Sequence, residues 1–313
     1  MRVITQRSFG GPEVLTVDQA PVPEPLPTEI RVRVAAAGVN AVDWKTRAGA
    51  GMAAVLGPPP FTVGWDVAGT VDAVGRGVTR FGVGDSVFGM PWFPRQAAAY
   101  AEYVTAPSRH FAHRPAHLTA TEAGGLPLAG LTAWQSLVDI ADVRPGQRVL
   151  IHAAAGGVGH LAVQIAKARG AYVIGTARAP KHAFLAGLGA DEAIDYATED
   201  VAERAREVDV VLDLVGGTSG LDALPALRDG GLFVAVPSSS GLDALRTAAA
   251  DRVRVTGILV EPDRAGLEAL AGLVEAGELR VHVERTFPLA EAARAHELGE
   301  AGHVTGKLVL AVS

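Results

Sequence analysis

Ala154-Ala155-Gly156-Gly157-Val158-Gly159 lies between two runs of opposite character. Before it, Arg148-Val149-Leu150-Ile151-His152-Ala153 reads as a short strand. After it, Leu161-Ala162-Val163-Gln164-Ile165-Ala166-Lys167 carries apolar residues at helical spacing. A glycine-rich turn that ends a strand and opens a helix is the dinucleotide fingerprint, here with Ala154 at the first glycine position. Gly156 would let the backbone approach a pyrophosphate, and Gly159 would let the helix pack closely on the strand. N–H groups at the helix start, aided by the helix dipole, would hold the phosphates. Glycines of this kind also serve packing alone. The complete strand–turn–helix–strand context favours cofactor binding.

Working outward, residues 172–176 read as a second strand and 184–188 as a short helix ending at Gly189. Residues 193–196, 208–213, 231–236 and 253–260 read as the third to sixth strands. Strands alternating with helices imply a doubly wound parallel sheet over residues 121–263. The second strand bears on the cofactor. It leads into Ala177-Arg178-Ala179-Pro180-Lys181-His182, with no carboxylate to bind a ribose 2′-OH. Arg178 could instead pair bidentately with a 2′-phosphate, with Lys181 and His182 adding positive potential. That pattern predicts NADPH. Arg178 as a solvated surface arginine is the alternative.

Residues 1–120 have a different rhythm. Short β-branched runs such as Ile30-Arg31-Val32-Arg33-Val34 and Val67-Ala68-Gly69-Thr70-Val71 alternate with turn clusters such as Gly57-Pro58-Pro59-Pro60. This predicts a small Greek-key or barrel domain with little helix. Residues 264–313 carry a helix at about 266–276 and an apolar strand at 307–312, and are expected to return to that first domain.

Composition narrows the chemistry. The 313 residues include 28 Lys+Arg, 34 Asp+Glu and no cysteine, for a net charge of −6. Disulfide frameworks, thiolate zinc sites and cysteine nucleophiles are excluded. The acidic balance argues against a nucleic-acid partner. No segment reads as targeting or membrane-spanning, so a cytoplasmic protein is expected. Tyr196 is not followed by the lysine of a Tyr-x-x-x-Lys pair. Gly302-His303-Val304-Thr305-Gly306-Lys307 is one residue short of a P-loop and precedes a strand. His110, His113 and His117 are interrupted by Pro115 and read as an interdomain loop, with no metal site. Ser238-Ser239-Ser240 follows the fifth strand without a nucleophile elbow, so cofactor contact or plain loop is expected there.

Several spaced motifs then carry a family resemblance. They include Gly10-Gly11-Pro12-Glu13-Val14-Leu15, Gly38-Val39-Asn40-Ala41-Val42-Asp43-Trp44-Lys45 and Gly64-Trp65-Asp66-Val67-Ala68-Gly69. Further along come Val83-Gly84-Asp85-Ser86-Val87, Gly130-Leu131-Thr132-Ala133-Trp134, the 154–159 turn, Leu188-Gly189-Ala190-Asp191 and the 302–307 segment. Across essentially the whole chain the sequence resembles the zinc-independent quinone oxidoreductase branch of the medium-chain dehydrogenase/reductase superfamily. The resemblance implies an α/β fold: a GroES-like β-rich catalytic domain (1–120, completed by 264–313) plus a Rossmann doubly wound parallel sheet (121–263). It implies an NADPH site in the cleft between them. Zinc-dependent relatives carry cysteine where Asn40 stands, a His–Glu pair where Trp65 and Asp66 stand, and cysteine near Leu128. No such ligand set is kept here.

By the same resemblance, Ala155, Gly156, Gly157 and Val158 would line the pyrophosphate, Arg178 the 2′-phosphate, and Tyr196 the adenosine. Val215, Pro237, Ser238, Leu259 and Val260 would edge the nicotinamide. Lys307 and Asn40 would reach the cleft, Lys307 as a cofactor-binding residue. Asn40 and Thr132 would be the catalytic residues; they or backbone N–H groups would donate hydrogen bonds to the acceptor oxygen, the alternatives being a turn former for Asn40 and a helix-packing residue for Thr132. The expected reaction is metal-free hydride transfer from NADPH to a quinone or α,β-unsaturated carbonyl. Relatives usually place an aromatic residue where this chain has Ala50-Gly51-Met52-Ala53-Ala54, so a wider substrate mouth is expected. That leaves open a pathway-specific enoyl reductase of secondary metabolism, or a non-catalytic NADPH-binding sensor or scaffold. A homodimer formed through the sixth strand is also implied.

Overall fold

The computed structural model describes residues 1–236 and 241–312. The chain runs through β1 (Arg2–Thr5), β2 (Thr16–Gln19), β3 (Glu29–Val39), β4 (Val67–Val74), β5 (Ser86–Gly89), β6 (Tyr103–Pro107) and β7 (Phe111–His113). It continues through β8 (Arg148–Ile151), β9 (Tyr172–Thr176), β10 (Glu192–Ile194), β11 (Val208–Asp213), β12 (Leu227–Ala235) and β13 (Arg254–Gly257), and ends in β14 (Val283–Pro288) and β15 (Lys307–Ala311). Two compact units form. One comprises Met1–Leu131, Glu261–Glu275 and Val281–Ser313; the other comprises Thr132–Val260 and Ala276–Arg280.

In the first unit seven strands follow the order β14-β15-β3-β4-β5-β7, with β6 also on β3 and β1–β2 as a separate hairpin. β3 is the spine. Its alternating Ile30, Val32 and Val34 are buried, and so is the small-residue end through Val39. β15 pairs antiparallel with that end, matching Leu308 to Val39 and Ala311 to Ala36. β4 pairs along the other side, matching Ala68 to Ala36. Lys307, Asn40 and Asp66 therefore meet at adjoining strand ends. The mostly apolar core includes Phe61, Val71, Tyr100, Phe111 and Leu310. Burying each large apolar side chain stabilises the fold by about 1.5–3 kcal/mol.

The second unit holds the parallel sheet in the order β10-β9-β8-β11-β12-β13. This is the doubly wound order, whose direction reverses between β8 and β11. Ligands of such sheets bind at that reversal, beyond the strands' carboxyl ends.

Three expectations need correction. The third strand ends at Ile194, so Asp195 and Tyr196 lie past it; only residues 192–194 pair with β9. The sixth strand covers only Arg254–Gly257, because its partner β12 runs out at Ala235. The histidine segment is not an interdomain loop: Phe111–His113 is a strand paired with β5. His110 accepts from Trp92 N–H, His113 packs on Phe81 and His117 lies 3.3 Å from the Val274 carbonyl.

Candidate active site

In the second unit, residues 152–158 form the turn after β8, and the helix Gly159–Ala168 follows. A Cβ on Gly159 would meet the Ala153 carbonyl and approach Ala154 Cα to 2.7 Å. Only glycine allows this contact of helix and turn. The left-handed conformation falls on Ala153, at φ +47°, one residue before the first position of the fingerprint. It costs about 1–2 kcal/mol for an L-residue with a Cβ.

The turn exposes donors. Gly156 N–H bonds to Ala153 O and His160 N–H to Gly156 O. Among the described residues, no acceptor takes the N–H groups of Ala155, Gly157 or Val158, although Ala155 is buried. Three unsatisfied donors at the start of a ten-residue helix fit a diphosphate.

At the end of β9, Arg178 is exposed; its Nε donates to the Tyr196 hydroxyl at 3.3 Å, and it makes no ion pair among the described residues. Its guanidinium fork is open to an anion. Asp195, brought close by the β9–β10 pairing, accepts from the N–H groups of Ala179 (3.1 Å) and Ala197 (3.0 Å). Both Asp195 oxygens thus accept from backbone N–H groups. Tyr196 is 52 % exposed.

At the sheet reversal, His152 after β8 faces Asp213 at the end of β11, with Nδ1 3.0 Å from Oδ1. Burial pushes the Asp213 carboxyl up, but His152 and the N–H groups of Val215 and Gly216 outweigh it and hold it below the usual range. Asp213 thereby shapes the loop after β11. Beside it lies a cavity of about 270 Å³, lined in part by Gly216, Gly217, Ala235, Thr256 and Leu259. Val215 is half exposed and Val260 buried. Pro237 and Ser238, with Ser239 and Ser240, lie outside the described residues. Thr132 is buried in the helix Pro127–Trp134, and its carbonyl accepts from Ser136 Oγ at 2.6 Å.

The first unit contains a buried polar cluster. Asn40 precedes the helix Ala41–Arg47, and its backbone N–H donates to Asp43 Oδ2 at 2.6 Å. Its Nδ2 donates to Asp66 Oδ2 at 2.9 Å, and its Oδ1 accepts from Lys307 Nζ. Leu128 N–H donates to Asp66 Oδ1 at 2.6 Å. A Cβ on Gly38 would stand 2.5 Å from Asp66 Oδ2, so glycine makes room for the carboxylate. Burial pushes Asp66 up and Lys307 down, and their attraction across 3.6 Å opposes both shifts.

A second chain of contacts reaches Asp43. Tyr100 OH donates to Asp43 Oδ2 at 3.1 Å and lies 3.1 Å from His296 Nε2. Arg47 Nη1, which can only donate, faces His296 Nδ1 at 3.2 Å, and Arg47 Nη2 donates to Glu300 at 2.7 Å. The His296 proton therefore sits on Nε2. Burial pushes Asp43 up to about 7. Burial, with Arg47 alongside, pushes His296 down to about 3.

The profile of the alcohol dehydrogenase GroES-like domain matches residues 26–116, and that of the zinc-binding dehydrogenase family matches residues 188–310. A quinone oxidoreductase of Pseudomonas aeruginosa is 37% identical over 321 residues, covering 97% of each chain. The chain belongs to the quinone oxidoreductase branch of the medium-chain dehydrogenase/reductase superfamily. A 2-haloacrylate reductase of a Burkholderia species is 37% identical over 322 residues, covering 96% of each chain. The structure of Escherichia coli quinone oxidoreductase complexed with NADPH superposes with a TM-score of 0.88 at 32% identity, covering 99% of this chain and 100% of that one.

In this medium-chain oxidoreductase the expected site residues fall into two groups. Ala155, Gly156, Gly157, Val158, Arg178, Tyr196, Val215, Leu259, Val260 and Thr132 belong to the second unit; Asn40 and Lys307 belong to the first. Sequence reasoning missed His152, Asp213, Asp43, Tyr100 and His296. For Asp213 a signal existed: a carboxylate ending a buried strand just before Gly216-Gly217. For the Asp43–Tyr100–His296 contacts none existed, because their spacing follows no local period. No helix among the described residues is long and apolar enough to cross a membrane.

Proposed function

We propose that this protein is an NADPH-dependent, metal-free oxidoreductase that reduces a quinone or an α,β-unsaturated carbonyl. The observation that carries the cofactor half is the set of open donors: the N–H groups of Ala155, Gly157 and Val158, together with the Arg178 guanidinium, which donates Nε to Tyr196 and makes no ion pair among the described residues. The turn around Gly156 holds the diphosphate. Arg178 takes the 2′-phosphate, and Tyr196 lies beside the adenosine. Val215, Leu259 and Val260 border the nicotinamide, together with Pro237 and Ser238. The acceptor class is supported by relatives named as a quinone oxidoreductase and a 2-haloacrylate reductase. When bound, NADPH supplies the hydride. Negative charge then develops on the acceptor oxygen, where Asn40 Nδ2–H and the Thr132 hydroxyl donate to it. A proton from water completes the reduction.

The stretch Ala50-Gly51-Met52-Ala53-Ala54, which has no aromatic residue, favours one variant of this reading, a pathway-specific enoyl reductase with a bulkier substrate. Steady-state NADPH oxidation across quinones and enones of increasing size tests both forms. Turnover on at least one class is expected. Tight NADPH binding with no turnover on any member would leave a non-catalytic sensor or scaffold.

The working form is a cytoplasmic homodimer joined along β13, the last strand of its sheet. Light scattering should give twice the 32.3 kDa chain mass. A single-chain mass at micromolar concentration would overturn the dimer.

A further inference from the structure

Asn40 is held at three points by groups more buried than itself. Asp43 takes its backbone N–H, Asp66 takes one Nδ2–H, and Lys307 donates to Oδ1. Asn40 is 7% exposed, whereas Lys307 is 2% and both carboxylates are fully buried. The contacts dictate the orientation of the amide. An ammonium can only donate and an ionised carboxylate can only accept. Flipping the amide would set Nδ2 against Lys307 and Oδ1 against Asp66. Asp66 is itself pinned from the far side by Leu128 N–H and by the space at Gly38. Among the described residues, nothing accepts the second Nδ2–H of Asn40.

We propose that Asp66 and Lys307 are positioning residues that clamp the Asn40 amide between a carboxylate and an ammonium, leaving one Nδ2–H in a fixed direction for the acceptor oxygen. This rests on the reductase reading. In this proposal the two residues act through Asn40, which both of them contact. The clamp is built from three strand ends brought together by the β15–β3–β4 register. Preorganised donors of this kind cost no reorientation as charge develops, so losing the orientation should slow the reaction more than it weakens binding.

The test compares the full-length wild type with Lys307→Met, Lys307→Arg and the double variant Asp66→Asn/Lys307→Met. Removing Lys307 alone leaves a buried carboxylate unpaired and lowers stability. The double variant removes both charges and should recover the thermal midpoint. We expect kcat to fall about 10- to 100-fold in Lys307→Met and to stay low in the double variant, with NADPH affinity within about twofold of wild type. Lys307→Arg should recover part of kcat. Recovery of both stability and kcat in the double variant would mean a merely structural pair and would overturn the proposal. An activity-independent readout separates this from failure of the reductase reading. The Asn40 side-chain amide protons, assigned through Asn40→Ser, should give two widely split, slowly exchanging NMR signals in the wild type. They should collapse towards free-amide values in the double variant. Unchanged signals there overturn the clamp, whether or not any acceptor is turned over.

Discussion

Replacing Arg178 with alanine should raise the Kd for NADPH about 10- to 100-fold and leave the Kd for NADH within about twofold, because charge-assisted phosphate bonds contribute about 1.5–3 kcal/mol. The guanidinium is exposed and free of carboxylates, so the substitution breaks no ion pair among the described residues. Asp195, just past the neighbouring strand β10, accepts from the N–H groups of Ala179 and Ala197. The selectivity should shrink as salt rises, since an exposed pair is screened. Fluorescence titration at two ionic strengths reads both effects. Equal losses for NADPH and NADH would show that Arg178 does not read the phosphate.

The second large effect concerns pH. Asp43 is fully buried, with its carboxyl raised to about 7, against about 4 in the unfolded chain. Between those values the folded state binds the extra proton. Asp43 therefore contributes stability that is present below about pH 4 and lost as pH rises towards 7. His296, lowered to about 3, has the opposite sign: the unfolded chain binds the extra proton up to about pH 6.5. Its contribution grows as pH rises. The two slopes oppose each other between about pH 4 and 6.5, each at most about 1.4 kcal/mol per pH unit. Asp43→Asn removes one and leaves the other. Denaturant unfolding from pH 4 to 6.5 should then show stability rising more steeply with pH in the variant than in the wild type. Parallel curves would mean that Asp43 is ionised throughout.

The strand–turn–helix around Gly156 was legible because its determinants are local: a β-branched run, small residues and a helical period sit consecutively in 148–167. The doubly wound class followed from the same alternation. The full length of β3 was not legible. Residues 35–39 are Ala-Ala-Ala-Gly-Val, a stretch with little intrinsic strand preference, and they are extended because β15 and β4 pair with them. The sixth strand erred the other way: its β-branched run extends past the point where β12 can pair with it.

The candidate site shows the same divide. The place of Arg178 just past a strand was readable from the sequence. Asn40 and Lys307 were named through family resemblance, but their mutual contact spans 267 positions and depends on sheet register. The Arg47–His296–Tyr100–Asp43 contacts join three distant segments, and each residue alone looks like an ordinary polar side chain.

Hydride transfer to the acceptor is tested by following the hydride itself. The protein is incubated with NADPH deuterated at the transferable C4 position and an α,β-unsaturated carbonyl or a quinone, and the products are read by mass spectrometry and NMR. NADP⁺ should form in equal amount to the reduced acceptor, with one deuterium on the β-carbon of the saturated carbonyl. A saturated product without deuterium, or bound NADPH that reduces no quinone and no enone, would contradict it.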